Sequence, residues 1–339
     1  LFAGAMHVDL HQLLKRKYAI FSLATIGVIL STFLIAVIIY YSINLIGLNI
    51  SFPFALVFGA LISPTDPVAV LGLLKSMKNV PESLKIKIAG ESLFNDGVGI
   101  VVFSVIITFA LSEINQTENT LNLFFITKFF VMEVFGGILL GLVSGFLAYI
   151  AIKSINDFAL EIMITLALVM VTYLIAIESH VSGPLAVVIA GIIIGNFGFK
   201  KGMSDITRKH VNIFWLIIDE ILNAGLFLLI GLEILAISFN YNTILASLIA
   251  IPAVLFSRLI SVGIPITLLG LKKDFSRGAV PLLTWGGMKG AISVALALSI
   301  PDIPERETII AMTYSVVIFS IIIQGLTMKR LIQYFLTKK

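Results

Sequence analysis

Of the 339 residues, 59% are hydrophobic and only 12% are charged, and the net charge is +4. A soluble globular domain carries roughly 25% charged residues, so this composition, with a mean hydropathy of +1.08, excludes an ordinary soluble fold. There is no cysteine for a disulfide framework or thiol chemistry, and no basic patch interleaved with aromatics that would mark a nucleic-acid binder.

In chain order, "LFAGAMHVDLHQLLKRK" has neither an initiator Met nor a signal-peptide pattern. It reads as the second half of a spanning segment running into a basic loop, with further spans expected upstream. A membrane-crossing helix needs roughly 20 mostly apolar residues. That rule predicts ten spans, near 17–46, 52–75, 86–112, 122–152, 158–178, 183–199, 211–238, 243–270, 277–300 and 307–335. Lysine and arginine concentrate in alternate loops, at 15–17, 75–87, 200–209, 272–277 and 329–339. The positive-inside rule makes those loops, and the C-terminus, cytoplasmic.

Two spans carry helix breakers at their middle. The first, "SFPFALVFGALISPTDPVAVLGLL", has Pro64 and Pro67 flanking Thr65 and Asp66. Each proline removes a backbone donor and clashes with the preceding turn. The second, "RGAVPLLTWGGMKGAISVALALSI", sets Lys289 among Gly286, Gly287 and Gly290. Each is the middle member of a trio of spans, and the two trios run in opposite senses. A discontinuous helix in each half of an inverted repeat points to a transporter site near the bilayer midplane. Broken helices expose partial charges of roughly half a unit at their inner ends. Asp66 suits the positive ends and Lys289 the negative ones.

The span between, "KIKIAGESLFNDGVGIVVFSV", contains Glu91, Ser92, Asn95 and Asp96. A carboxylate at a bilayer centre costs about 2.5–3.5 kcal/mol on insertion scales, so two of them in one span need a function or a partner. Ser92 and Asp96 are one helical turn apart, whereas Glu91 and Asp96 diverge by roughly 140° around the helix. Asp96 is the leading cation ligand and proton carrier, because a buried carboxylate holds a desolvated cation or a proton but not both. Thr65 and Ser92 add neutral oxygen ligands suited to an alkali cation. Arg258, mid-span in "VLFSRLISV", needs a buried anion, and Glu91 is the expected partner.

The stretches "SPTDPVAV", "GESLFNDGVGIVVF", "FWLIIDEILNAGLFLLIGLEI", "FSRLISV" and "WGGMKGAISVALAL" resemble the first subfamily of the monovalent cation/proton antiporters, which includes bacterial sodium/proton antiporters and sodium/hydrogen exchangers. The resemblance covers nearly the whole chain. It implies an all-α polytopic protein of thirteen spans, with crossing discontinuous helices, a six-helix core moving against an interface domain, and a homodimer. On that plan residues 1–16 end an interface helix, 17–112 form the first half of the core, 113–152 connect, 153–242 form the interface domain and 243–339 complete the core. The resemblance also supports Asp96, Ser92, Thr65 and Asp66 at the ion site, with Asn95 in support and Glu91 paired to Arg258. Ala3 stands where relatives often carry an acid. Asn95 stands where electrogenic relatives carry a second acid, which implies electroneutral exchange.

The expected function is therefore exchange of Na⁺ or Li⁺ for H⁺ across a bacterial inner membrane, with no cofactor. K⁺/H⁺ exchange and a cation channel are the alternatives. An intramembrane hydrolase built on Ser92 and His180 would need hydrogen-bond reach between them, and the span pattern places them at different depths.

Overall fold

The computed structural model describes residues 1–66, 82–114, 123–233, 240–268 and 278–337. Pro67, Lys75 and Lys78, the "NQT" tripeptide at 115–117 and the basic residues at 272–277 lie outside the described residues. Among those described, all regular structure is helical. Among the described residues eight helices are long and apolar enough to cross a membrane, which makes the protein an integral multi-pass membrane protein. The chain groups into two compact units, one of Leu1–Arg16 with Asn122–Leu228, the other of Lys17–Leu121 with Leu229–Lys339.

The first unit opens with the short helices α1 (Phe2–Met6) and α2 (Leu10–Lys15). Asp9 caps α2 by accepting the Gln12 N–H at 3.0 Å. That backbone bond favours the ionised carboxylate and holds Asp9 below its ordinary value. From the rest of this unit come α7 (Leu123–Lys153), α8 (Phe158–Glu178), α9 (Gly183–Ile193) and most of α10 (Asp205–Glu233). A wide π-helical turn over Ile194–Gly202 extends α9. Phe2, Met6, Ile152, Leu168, Ile194 and Trp215 form its core. The Trp215 indole N–H needs an acceptor once buried, and finds Thr165 Oγ1 at 2.9 Å.

The second unit begins with α3 (Lys17–Ala24) and α4 (Ile26–Leu45), a single apolar segment broken at Thr25. Thr25 Oγ1 donates back to the Phe21 carbonyl at 2.6 Å, a bond that competes with the helical ladder. Helix α5 (Phe52–Ile62) lies on α4. The two backbones approach closely enough that a Cβ on Gly59 would strike the Thr32 carbonyl. α6 (Glu82–Ile114) is a continuous helix of 33 residues, beginning a turn earlier than the sequence predicts. Lys87, counted from the sequence among the basic loop residues, is 2% exposed within it.

The second trio comprises α11 (Tyr241–Leu268), the short α12 (Ala279–Trp285) and α13 (Ala291–Leu298), and α14 (Arg306–Phe319), which continues through a π-helical turn at Ser320–Gln324 into α15 (Gly325–Thr337). Neither segment read as broken is one continuous helix. α5 stops at Ile62, and the described chain through Asp66 is non-helical. The other segment is interrupted between Trp285 and Ala291.

Replacing Gly59 by Ala forces α4 and α5 apart and is expected to destabilise the protein by about 1–3 kcal/mol. A thermal-unfolding comparison of Gly59→Ala with wild type in detergent checks this; an unchanged midpoint would show that the helices can shift freely.

Candidate functional site

The two interruptions meet through the backbone. The Asp66 N–H donates to the Met288 carbonyl at 2.8 Å. Each break then places a charged side chain on the other's helix end. Lys289 Nζ donates to the carbonyls of Ser63 at 2.9 Å and Pro64 at 3.1 Å, where the chain leaves α5. The carbonyl end of a helix carries orphan acceptors and a partial negative charge, and Lys289, 3% exposed, supplies both donors and charge. Reciprocally, the Asp66 carboxylate lies against Gly290, the residue that caps the N-terminus of α13. A Cβ at Gly290 would overlap that carboxylate, so only glycine admits it there.

Around the first break, Asn95 uses both ends of its carboxamide on Thr65. Its Oδ1 accepts the Thr65 N–H at 3.3 Å and its Nδ2 donates to Thr65 Oγ1 at 2.7 Å. Ser92 Oγ donates to the Thr65 carbonyl and lies 3.3 Å from Thr65 Oγ1. Ser63 is held in turn by Thr32 Oγ1, 3.0 Å away, and by its own bond to the Gly59 carbonyl at 2.7 Å. The non-helical peptide at 63–65 is thus pinned by side chains from α4 and α6 and by the Gly59 carbonyl of α5.

Asp96, one turn beyond Ser92 on α6, is 6% exposed. Asp66 and Lys289 lie within its electrostatic range. Among the described residues no group donates a hydrogen bond to its carboxylate, and Ser92 is turned to Thr65 instead. Glu91, on another face of α6, is 2% exposed and meets Arg258 of α11, with Nη2 2.5 Å from Oε1. The same Nη2 also reaches the Leu283 carbonyl in the last turn of α12, at 3.4 Å. One guanidinium therefore ties α6 and α11 to the second broken helix.

The structure brings together every residue singled out from the sequence around the crossing: Thr65, Asp66, Glu91, Ser92, Asn95, Asp96, Arg258 and Lys289 are all in the second unit. It also adds partners that sequence reasoning missed. Ser320 Oγ accepts the Lys289 N–H at 2.8 Å and donates to Gln324 Oε1. Gln324 Nε2 donates to the Trp285 carbonyl at 3.0 Å. The π-helical turn thus satisfies one donor and one acceptor that the second break exposes. The available signal was Ser320 and Gln324 four apart within the apolar run "VVIFSIIIQGL".

This arrangement is that of an inverted-repeat antiporter fold. The chain matches the transmembrane sodium/hydrogen exchanger family over residues 1–334, and it belongs to that family. It is 46% identical to the Na(+)/H(+) antiporter NhaP of Pseudomonas aeruginosa, over 98% of this chain and 78% of that protein. It is 37% identical to the Na(+)/H(+) antiporter NhaH of Halobacillus dabanensis, over 97% of this chain and 79% of that protein. In fold it is similar to the sodium proton antiporter MjNhaP1 of Methanocaldococcus jannaschii, with a TM-score of 0.80 at 23% identity, covering 99% of this chain and 83% of that one.

Removing one partner of a buried ion pair strands a charge and typically costs about 3–5 kcal/mol. Glu91→Met or Arg258→Met alone should each destabilise the protein by that order, and the double variant by less than the sum of the two. A thermal double-mutant cycle measures the coupling; strict additivity would contradict the contact. Lys289→Met should likewise lower the unfolding midpoint more than Lys289→Arg, because only the latter keeps a charge on the Ser63 and Pro64 carbonyls.

Proposed function

We propose that this chain is a secondary antiporter that exchanges Na⁺, or Li⁺, for H⁺ one-for-one by alternating access, with Asp96 binding cation and proton in turn. The observation that carries this reading is Asp96 itself, a carboxylate buried on a spanning helix with no hydrogen-bond donor among the described residues. Such a group is neutralised by a cation or by a proton, and the two compete for it. Competition at one site yields counter-transport without a second device. Hard oxygen donors favour an alkali cation, and Ser92, one turn before Asp96 on α6, and Thr65 would add neutral oxygens once their hydroxyls turn from each other. The names of the relatives support sodium as the cation and proton exchange as the reaction.

Asn95 supports electroneutrality. Its carboxamide is committed to Thr65 as both donor and acceptor, and a carboxamide does not titrate. Asp66 is occupied at the N-terminus of α13. One transport-coupled acid moves one Na⁺ one way and one H⁺ the other, so no net charge crosses. The crossed broken helices, with their compensated ends, favour a rocking core over an open pore, which argues against the channel reading. The bacterial relatives and the distribution of basic loops support an inner-membrane protein with its C-terminus in the cytoplasm, and the family resemblance supports a homodimer with 153–242 at its interface.

Cation-driven proton movement in proteoliposomes, followed with a pH-sensitive dye over Na⁺, Li⁺ and K⁺, tests the reading. Asp96→Asn should abolish the signal while the protein remains folded by circular dichroism; wild-type exchange in that variant would overturn the assignment. With wild type, clamping the voltage by potassium and valinomycin should leave the equilibrium point unmoved. A cycle carrying net charge would gain about 2.3 kcal/mol per charge per 100 mV, and its equilibrium point would shift.

A further inference from the structure

Arg258 has a second, unassigned donor. Its Nη2 is committed to Glu91 and to the Leu283 carbonyl, but its Nε–H has no hydrogen-bond partner among the described residues, although the residue is only 4% exposed. Thr284, at the end of α12 and 9% exposed, is in the same position: its hydroxyl has no partner among the described residues. Both side chains line one cavity of about 10 Å³, closed by Val254 and Leu255 of α11 and by Val316 and Phe319 of α14. Lys289 and Gln324 reach its wall as well. Leaving a buried donor unsatisfied is destabilising, and more so for a charged group.

We propose that this cavity is a binding site for a single structural water, which accepts from Arg258 Nε–H and hydrogen-bonds with Thr284 Oγ1. The size fits, since a water needs roughly 10–15 Å³ of such space and two to four polar partners. The chemistry fits better than an ion would. An anion would compete with Glu91 for the same guanidinium, and a cation would face the Arg258 and Lys289 charges. Gly287 leaves the approach open, because a Cβ there would lie 2.5 Å from Arg258 Nε. Nε–H and Nη2 share one edge of the guanidinium, so a water on Nε sits beside the Nη2 contact with Glu91. It holds the guanidinium plane in the orientation that lets Nη2 reach Glu91 and Leu283 together. Thr284 is thereby a positioning residue for the buried ion pair.

The test combines imaging with a stability cycle. A map at better than about 2 Å of the full chain in lipid nanodiscs should show a water peak within hydrogen-bond distance of Arg258 Nε and Thr284 Oγ1, and the peak should vanish in Thr284→Val. Thr284→Ser, which keeps the hydroxyl, should melt like wild type. Thr284→Val should lower Tm by about 2–4 °C, but should have little effect in the Glu91→Met, Arg258→Met background, where no guanidinium needs hydration. A merely steric requirement for Thr284 would cost the same in both backgrounds. An equal loss in both backgrounds, or a map without the peak in wild type, would overturn the proposal.

Discussion

The structure depends on an exchange of charge between two interrupted helices. Breaking a helix inside a membrane exposes main-chain donors and acceptors where lipid offers no substitute for water. Here each break satisfies the other. Lys289 covers the carbonyls of Ser63 and Pro64, Asp66 sits at the N-terminus of α13, and a direct bond from Asp66 N–H to the Met288 carbonyl ties the two interruptions together. Two breaks that would each be costly alone become mutually dependent. Unwound backbone is thereby maintained in a buried polar centre, which is the setting a desolvated cation requires.

The surrounding side chains divide between holding that geometry and leaving one group uncommitted. Asn95 and Ser92 are spent on Thr65, Ser320 and Gln324 on the second break, and Glu91 on Arg258. Asp96 stands among them, buried but without a donor from the described residues. A hydrogen-bonded frame around a buried carboxylate suits the competitive binding of two small cations proposed for Asp96. On the proposed reading the site exchanges its occupant while the frame keeps its shape, and the conformational change is a movement of the whole core rather than a rearrangement of ligands.

Much of this was legible in the residues. Pro64 beside Asp66, and Lys289 among glycines, announced two breaks and the charges that accompany them, because those residue types are costly in a spanning helix without a purpose. Arg258 announced a buried anion for the same reason, and the divergence of Glu91 from Asp96 around α6 suggested separate partners. Ser92 was harder. Its spacing from Asp96 suggested a shared ligand set, whereas its hydroxyl points to the Thr65 carbonyl. Helical spacing defines a face, and the rotamer within that face is chosen by whichever acceptor the neighbouring element presents. Lys87 illustrates the same limit near a helix end, where packing and not the residue type decides that a cation is buried.

By itself, the sequence determined the membrane-spanning character, the helical class, the two interruptions and the identity of the ionisable residues near them. These follow from local rules: apolar runs of spanning length, proline and glycine chemistry, and the cost of burying charge. Only the tertiary structure decided which orphan group meets which partner. Lys289 serves carbonyls 226 and 225 residues away, and Arg258 serves a carboxylate 167 residues away. It also serves the Leu283 carbonyl, a main-chain group that no side-chain pattern can reveal. Hydrogen bonds and ion pairs are short-ranged and directional, so their pairing is set by how the helices cross, and that crossing is a property of the packed core as a whole.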